Sequence, residues 1–121
     1  MRIQVKASGV LVTPAFRKYI EDKLTRPLEK ILGRDAKNDP LLEIEFSRST
    51  QHHKKGRVWY AEANLALGKR VLRGEAEGED PHETIDILED EFLREVKRFR
   101  SKAVERERKS ARELKRRLRG G

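Results

Sequence analysis

Four short stretches of this sequence alternate apolar and polar residues, so each has only one face to bury. "RIQVKAS" sets Ile3, Val5 and Ala7 against Arg2, Gln4 and Lys6, and "LLEIEFSRS" sets Leu42, Ile44 and Phe46 against Glu43, Glu45 and Ser47. "RVWYAEANLAL" carries Trp59, Ala61, Ala63, Leu65 and Leu67 on one side, and "RVLRGEAEG" carries Leu72, Gly74 and Ala76. A period of two is the pattern of a half-buried strand. A sheet built from such strands cannot be covered on both faces. Any helices must therefore lie together on its apolar side and leave the other side polar and open.

Two segments supply those helices. In "VTPAFRKYIEDKLTRPLEKILGR", Thr13 suits an N-cap and Pro14 the first helical position, where a missing N–H is harmless. Phe16, Ile20 and Leu24 recur at four-residue spacing, followed by Leu28, Ile31 and Leu32, and Gly33 supplies a C-cap. Pro27 falls inside this helix and predicts a kink or bulge. In "EDPHETIDILEDEFLREVKRFRSKAVERERKSARELKRRLR", Asp80 caps, Pro81 takes the first position and Glu83 completes a capping box. Ile85, Leu88, Phe92, Val96, Phe99 and Ala103 then form one stripe.

The order is strand, helix, three strands, helix. The first helix crosses over between strands one and two, which makes them parallel if they are neighbours, and the last three strands read as an antiparallel meander. The expected fold is α+β: β-α-β-β-β-α, a four-stranded mixed sheet with two helices packed on one face. The chain of 121 residues is enough for one domain. A last helix of full length would run ~55–60 Å, about twice the width of such a domain, so its end must project or fray. Past Ala103 only a thin apolar line remains (Val104, Ala111, Leu114, Leu118). Residues 1–103 are therefore read as the domain. Residues 104–121 are read as a basic helical or frayed tail that becomes ordered along RNA.

The net charge of +8 is unevenly spread: residues 94–121 hold 13 Lys/Arg against 4 Glu, and residues 1–93 are close to neutral. A localised positive segment points to a polyanionic partner, most often nucleic acid. There is no cysteine, which removes disulfides and thiolate metal sites. No apolar run approaches the ~20 residues of a membrane span, and no signal-peptide core opens the chain. A soluble, cytoplasmic protein with no membrane partner is expected.

Sites for chemistry are not apparent. His52, His53 and His82 are the only histidines, and the adjacent pair reads as solvated loop residues rather than metal ligands. The acids between Glu75 and Glu91 suit the start of a helix better than a Mg²⁺ site. No serine sits in a nucleophile elbow, and Gly68, Gly74 and Gly78 are spaced for turns and close packing rather than a phosphate loop. No catalytic residue, cofactor, metal or small-molecule substrate is assigned. The basic residues form a more coherent set. Lys23, Arg26 and Lys30 lie off the apolar stripe of the first helix, Lys54, Lys55 and Arg57 follow in a loop, and Arg94, Lys97, Arg98, Arg100 and Lys102 lie on the last helix. Such residues neutralise phosphates without reading bases.

The start "RIQVKASGVLVTPAFRKYIEDKL", the strand "LRGEAEGED" and the helix opening "ETIDILEDEFLREVKRFRSK" resemble the ribosome hibernation-promoting factors, in their short form. The resemblance spans about Met1 to Lys102. It implies the same fold and a protein that binds the small ribosomal subunit between head and body, occupies the decoding channel and inhibits translation without chemistry. It implies contacts from basic side chains on both helices to ribosomal RNA phosphates, with Lys23 and Arg26 matching the first set and Arg94, Lys97, Arg98, Arg100 and Lys102 the second. A monomer off the ribosome is expected. Two departures stand out: Glu91 occupies a position where relatives often carry lysine, and "TRPLEK" holds one residue more than the common pattern, which predicts a bulge beside Pro27. The alternative reading is a general double-stranded RNA-binding protein, since that module also orders a helix, three strands and a helix. A metal-dependent nuclease and a dimer through the terminal helix are more distant rivals.

Overall fold

Each alternating stretch forms a strand in the computed structural model, which describes residues 1–33, 39–48 and 58–120. The strands are β1 (Arg2–Ser8), β2 (Leu41–Arg48), β3 (Trp59–Leu67) and β4 (Arg70–Gly78). They form one sheet in the order β1-β2-β3-β4, with β1 parallel to β2 and the other pairs antiparallel. Gly68, at φ +58°, opens the tight turn between β3 and β4.

The first helical segment is a rod in three parts: α1 (Pro14–Ile20), a π-helical turn (Glu21–Thr25) and α2 (Arg26–Leu32). Thr13 Oγ1 accepts from the Phe16 N–H at 3.1 Å, and Gly33 closes the rod at φ +49°. The π turn is the bulge expected beside Pro27. Proline offers no N–H to a helical carbonyl, and its ring crowds the carbonyl four residues back. Widening the turn before it relieves both, and the Arg26 N–H reaches back five residues to the Glu21 carbonyl. The same turn solves a problem of register. Phe16, Ile20, Leu24, Leu28 and Leu32 are all buried, yet steps of four advance ~40° each in an ideal α-helix and would carry Leu32 ~160° away from Phe16. One underwound turn removes much of that drift and keeps the five on the sheet. It also buries the Thr25 hydroxyl, which has no hydrogen-bond partner among the described residues.

The second segment is a single helix, α3 (Pro81–Arg119), of 39 residues. Asp80 Oδ1 accepts from the Glu83 N–H at 2.8 Å, and the Thr84 hydroxyl donates to the Asp80 carbonyl at 2.7 Å. The helix continues through the basic segment to Arg119.

Both rods pack on the apolar side of the sheet. Leu42, Ile44 and Phe46 of β2 and Ala61, Ala63 and Leu65 of β3 are buried against the rod residues named above and against Ile85, Leu88, Phe92 and Val96 of α3. Phe46, near the end of β2, is edge-on to Phe16 (5.4 Å) and stacked on Trp59 (5.5 Å). Trp59 thus belongs to the core face, with the Arg48 guanidinium over its outer side. The small residues of β4 let α3 lie close. A Cβ on Gly74 would meet Phe92 at 2.8 Å, and one on Gly78 would meet Thr84 Oγ1 at 2.4 Å. Three expected core residues fall outside it: Ala7 is exposed at the end of β1, and Phe99 and Ala103 are only half-buried because α3 is leaving the sheet there.

The other sheet face is open and polar. Lys6, Glu45, Glu62 and Glu75 form one cross-strand row. The Arg73 guanidinium meets Glu62 at 3.0 Å, and the Tyr60 hydroxyl reaches Glu75 at 2.8 Å. The Asn64 amide and the Arg73 charge hold the Glu62 carboxyl below its usual range. Burial and the bond to Glu75 push the Tyr60 phenol up to about 12.

Candidate nucleic-acid interface

Contacts between the two rods climb both in step. His82 of α3 packs on Phe16 and Tyr19, Asp86 accepts from the Tyr19 hydroxyl, and Lys23 Nζ lies 3.6 Å from Asp86 and 3.9 Å from Glu89. The rods therefore run parallel, and their C-terminal ends lie at the same end of the domain. Strand β4 runs the other way: Gly78 faces Thr84, Gly74 faces Phe92 and Arg70 faces Phe99.

This antiparallel pairing aligns two charge gradients. The stretch from Lys69 in the turn through β4 begins with bases (Lys69, Arg70, Arg73) and ends with acids (Glu75, Glu77 and, just past the strand, Glu79), whereas α3 begins with acids (Glu83, Asp86, Glu89, Asp90, Glu91) and continues with bases from Arg94. Packed head to tail, they place acids beside acids at one end and bases beside bases at the other. Lys30, in the last turn of α2, lies at the basic end. From there α3 projects as a basic rod. Residues 103–119 add ~25 Å beyond the sheet.

The sequence-predicted residues divide accordingly. Lys30, Lys97 and Lys102 are exposed at the basic end. Arg94 and Arg98 share it, each beside an acid one turn back: Asp90 at 3.2 Å and Glu95 at 3.4 Å. Arg100 is half-buried on the same stretch. Arg26 is exposed and paired with Asp22 at 3.2 Å. Lys23 stands apart, held between the rods by two carboxylates and the Tyr19 ring on the acidic side. The bond to Asp86, burial and nearby acids push the Tyr19 phenol up to about 12. Lys54, Lys55 and Arg57, with His52 and His53, lie outside the described residues. His82 packs on rings, and no group of three or more metal-ligating side chains stands together among the described residues. No helix is long and apolar enough to cross a membrane among the described residues.

Sequence reasoning overlooked one part of this end. The Arg70 guanidinium covers the Phe99 ring at 5.5 Å, beside a groove of about 460 Å³ whose other walls include Arg98, Lys102 and Arg106. A length comparison could have found it. From Gly78 to Arg70 is ~26 Å of strand, which α3 matches in ~17 residues from Thr84. Phe99 therefore sits where the sheet is about to end.

A profile of the family described as sigma 54 modulation protein / S30EA ribosomal protein matches residues 3–104. The chain belongs to this family. It is the family of ribosome hibernation-promoting factors that the sequence resembles. A ribosome hibernation promoting factor of Azotobacter vinelandii is 26% identical over 107 residues, which are 88% of this chain and 90% of that protein. One from Klebsiella oxytoca is 26% identical over 102 residues, 84% of this chain and 96% of that protein. A ribosome hibernation promotion factor of a Picosynechococcus strain is 23% identical over 103 residues, only 50% of that longer protein. Among solved structures, the N-terminal domain of Thermus thermophilus Protein Y superposes with a TM-score of 0.65 at 25% identity, covering 82% of this chain and 99% of its own. A ribosomal subunit interface protein of Coxiella burnetii shares the fold at a TM-score of 0.63 and 24% identity, covering 84% of this chain and 99% of its own. The fold of these S30EA relatives is the four-stranded mixed sheet with two helical rods described above. The family match ends at residue 104, and α3 continues 15 residues further.

Proposed function

We propose that this chain binds the small ribosomal subunit between head and body, occupies the decoding channel and blocks translation by occupancy, performing no chemistry of its own. Membership of the ribosome hibernation family and the names of its relatives support the ribosome as partner. The observation that carries the rest is the convergence of two charge gradients on one end of the domain. A molecule with a basic end and an acidic end meets a phosphate wall end-first. There Lys30, Arg94, Lys97, Arg98, Arg100 and Lys102 neutralise phosphates, with Arg26 at the margin. Lys23 contributes once its bonds to Asp86 and Glu89 are exchanged for phosphate; exposed pairs of this kind are worth only ~0–1 kcal/mol. Lys54, Lys55 and Arg57 belong to the same proposed contact set, and residues 104–121 extend it, helical as far as Arg119. The protein works in the cytoplasm and is a monomer away from the ribosome.

The test is sedimentation of lysate through a sucrose gradient. The wild-type chain is expected with small subunits or whole ribosomes. The triple variant Arg94→Glu, Lys97→Glu, Arg98→Glu is expected at the top of the gradient with an unchanged melting curve. Continued co-migration and continued inhibition of synthesis by that variant would overturn the proposal.

A further inference from the structure

The groove at the basic end holds an aromatic ring that core packing does not explain. Positions 85, 88, 92 and 96 of the α3 stripe are fully buried, but Phe99 lies where the sheet ends and is left half-open. The Arg70 guanidinium lies over its ring at 5.5 Å, and Arg70 is itself exposed at the first residue of β4. Among the described residues lining the groove, Glu95 is the one carboxylate and pairs with Arg98 at 3.4 Å, so Arg70, Lys102 and Arg106 give the lining an excess of positive charge. Its volume of about 460 Å³ falls in the ~300–1,000 Å³ range of small-ligand sites.

We propose that this groove receives one unpaired nucleotide of an RNA strand, its base sandwiched between the Phe99 ring and the Arg70 guanidinium and its flanking phosphates on Lys102 and Arg106. An acidic peptide would satisfy the cations and leave the ring idle. A nucleotide uses both, because aromatic rings and guanidinium planes are the two surfaces on which splayed-out bases stack. Room for the base requires ~7 Å between ring and guanidinium, two stacking distances of ~3.5 Å. Arg70 has to withdraw by only ~1.5 Å. This site deepens the ribosome-binding reading above and rests on it for the identity of the strand, ribosomal RNA.

The experiment uses the full chain, a short unstructured single-stranded RNA, the same sequence as a duplex, ATP and purified small subunits. Phe99→Leu keeps the bulk of the side chain and removes the π-face; it is expected to weaken single-strand binding about 5- to 100-fold with the salt slope unchanged. Phe99→Tyr should bind as the wild type does. Lys102→Gln with Arg106→Gln should lower the slope of log affinity against log salt by about 1 to 2. Duplex binding should ignore Phe99→Leu, because paired bases cannot reach the ring. The site is overturned if Phe99→Leu binds the single strand like the wild type, or weakens duplex and single strand alike. Saturable binding of ATP with no response to the single strand overturns the RNA-strand assignment. Small subunits separate this result from the broader reading. Wild-type chain that fails to bind them removes the ribosomal function, while the oligonucleotide arms still decide the groove.

Discussion

The two halves of α3 are one unbroken helix with opposite duties. In the first half, Ile85, Leu88, Phe92 and Val96 are buried and the polar face is acidic. That face is tied to the first rod through Tyr19 and Lys23. In the second half the buried stripe stops, Leu114 and Leu118 stand 59% and 75% exposed, and the polar face is basic. The first half carries the fold and the second half carries charge. The helical backbone allows this because its hydrogen bonds are local, so it needs no tertiary partner at every turn.

Truncations to alanine in the two halves are expected to have very different effects on stability. Phe92→Ala empties the space under β4 and is expected to lower unfolding free energy by ~3–5 kcal/mol, whereas Leu118→Ala changes it by less than ~0.5 kcal/mol. Denaturant melts of both variants check this, and a large loss from Leu118→Ala would break the comparison. Gly74→Ala pushes a methyl group into the Phe92 ring and is expected to remove ~1–3 kcal/mol. Deleting residues 104–121 should leave the melt unchanged but reduce the salt slope of ribosome binding by about 2 as phosphate contacts are lost. An unchanged slope would make the projecting rod a bystander.

A pH titration sharpens the same contrast. Tyr19 bonds to the first half of α3, and its phenol is held near 12 instead of the usual 10.0. The folded state therefore favours the protonated phenol. The stabilisation is complete below pH 10 and fades as pH rises towards 12. Tyr60 is shifted the same way on the open sheet face. Tyrosinate absorbance should show the chain's two tyrosines ionising together near pH 12, and a step near pH 10 would mean that one of these bonds is absent. The smallest effect concerns Thr25. Replacing its hydroxyl, which has no partner among the described residues, by methyl in Thr25→Val should raise stability by ~1 kcal/mol or leave it unchanged, and a clear loss would reveal a hidden partner.

Most of the fold was legible because its signals are local. Alternation marked all four strands, Thr13–Pro14 and Asp80–Pro81 marked both helix starts, and Pro27 with the extra residue of "TRPLEK" foretold a bulge. The end of α3 was less so. Composition alone leaves open whether a basic segment with few apolar residues frays, and the structure carries it as helix to Arg119. The interface was read only in part. Bases on α3 stood out as a run, but their alignment with Lys69 and Arg70 depends on two elements packing antiparallel, a tertiary fact. Lys23 looked like the other helix bases until the rods were set side by side and Asp86 and Glu89 closed around it. Phe99 looked like core because periodicity continues past the point where there is a sheet to cover.

The row of Glu45, Glu62 and Glu75 across the open sheet face has a consequence for docking. In the proposed complex Lys6 and Arg73 offset much of its charge, so the outer face of the sheet offers phosphates little attraction. A molecule that meets RNA with its basic end gains little by rolling that face onto the wall. The row works as a passive keel, keeping the face out of the contact while the basic end docks.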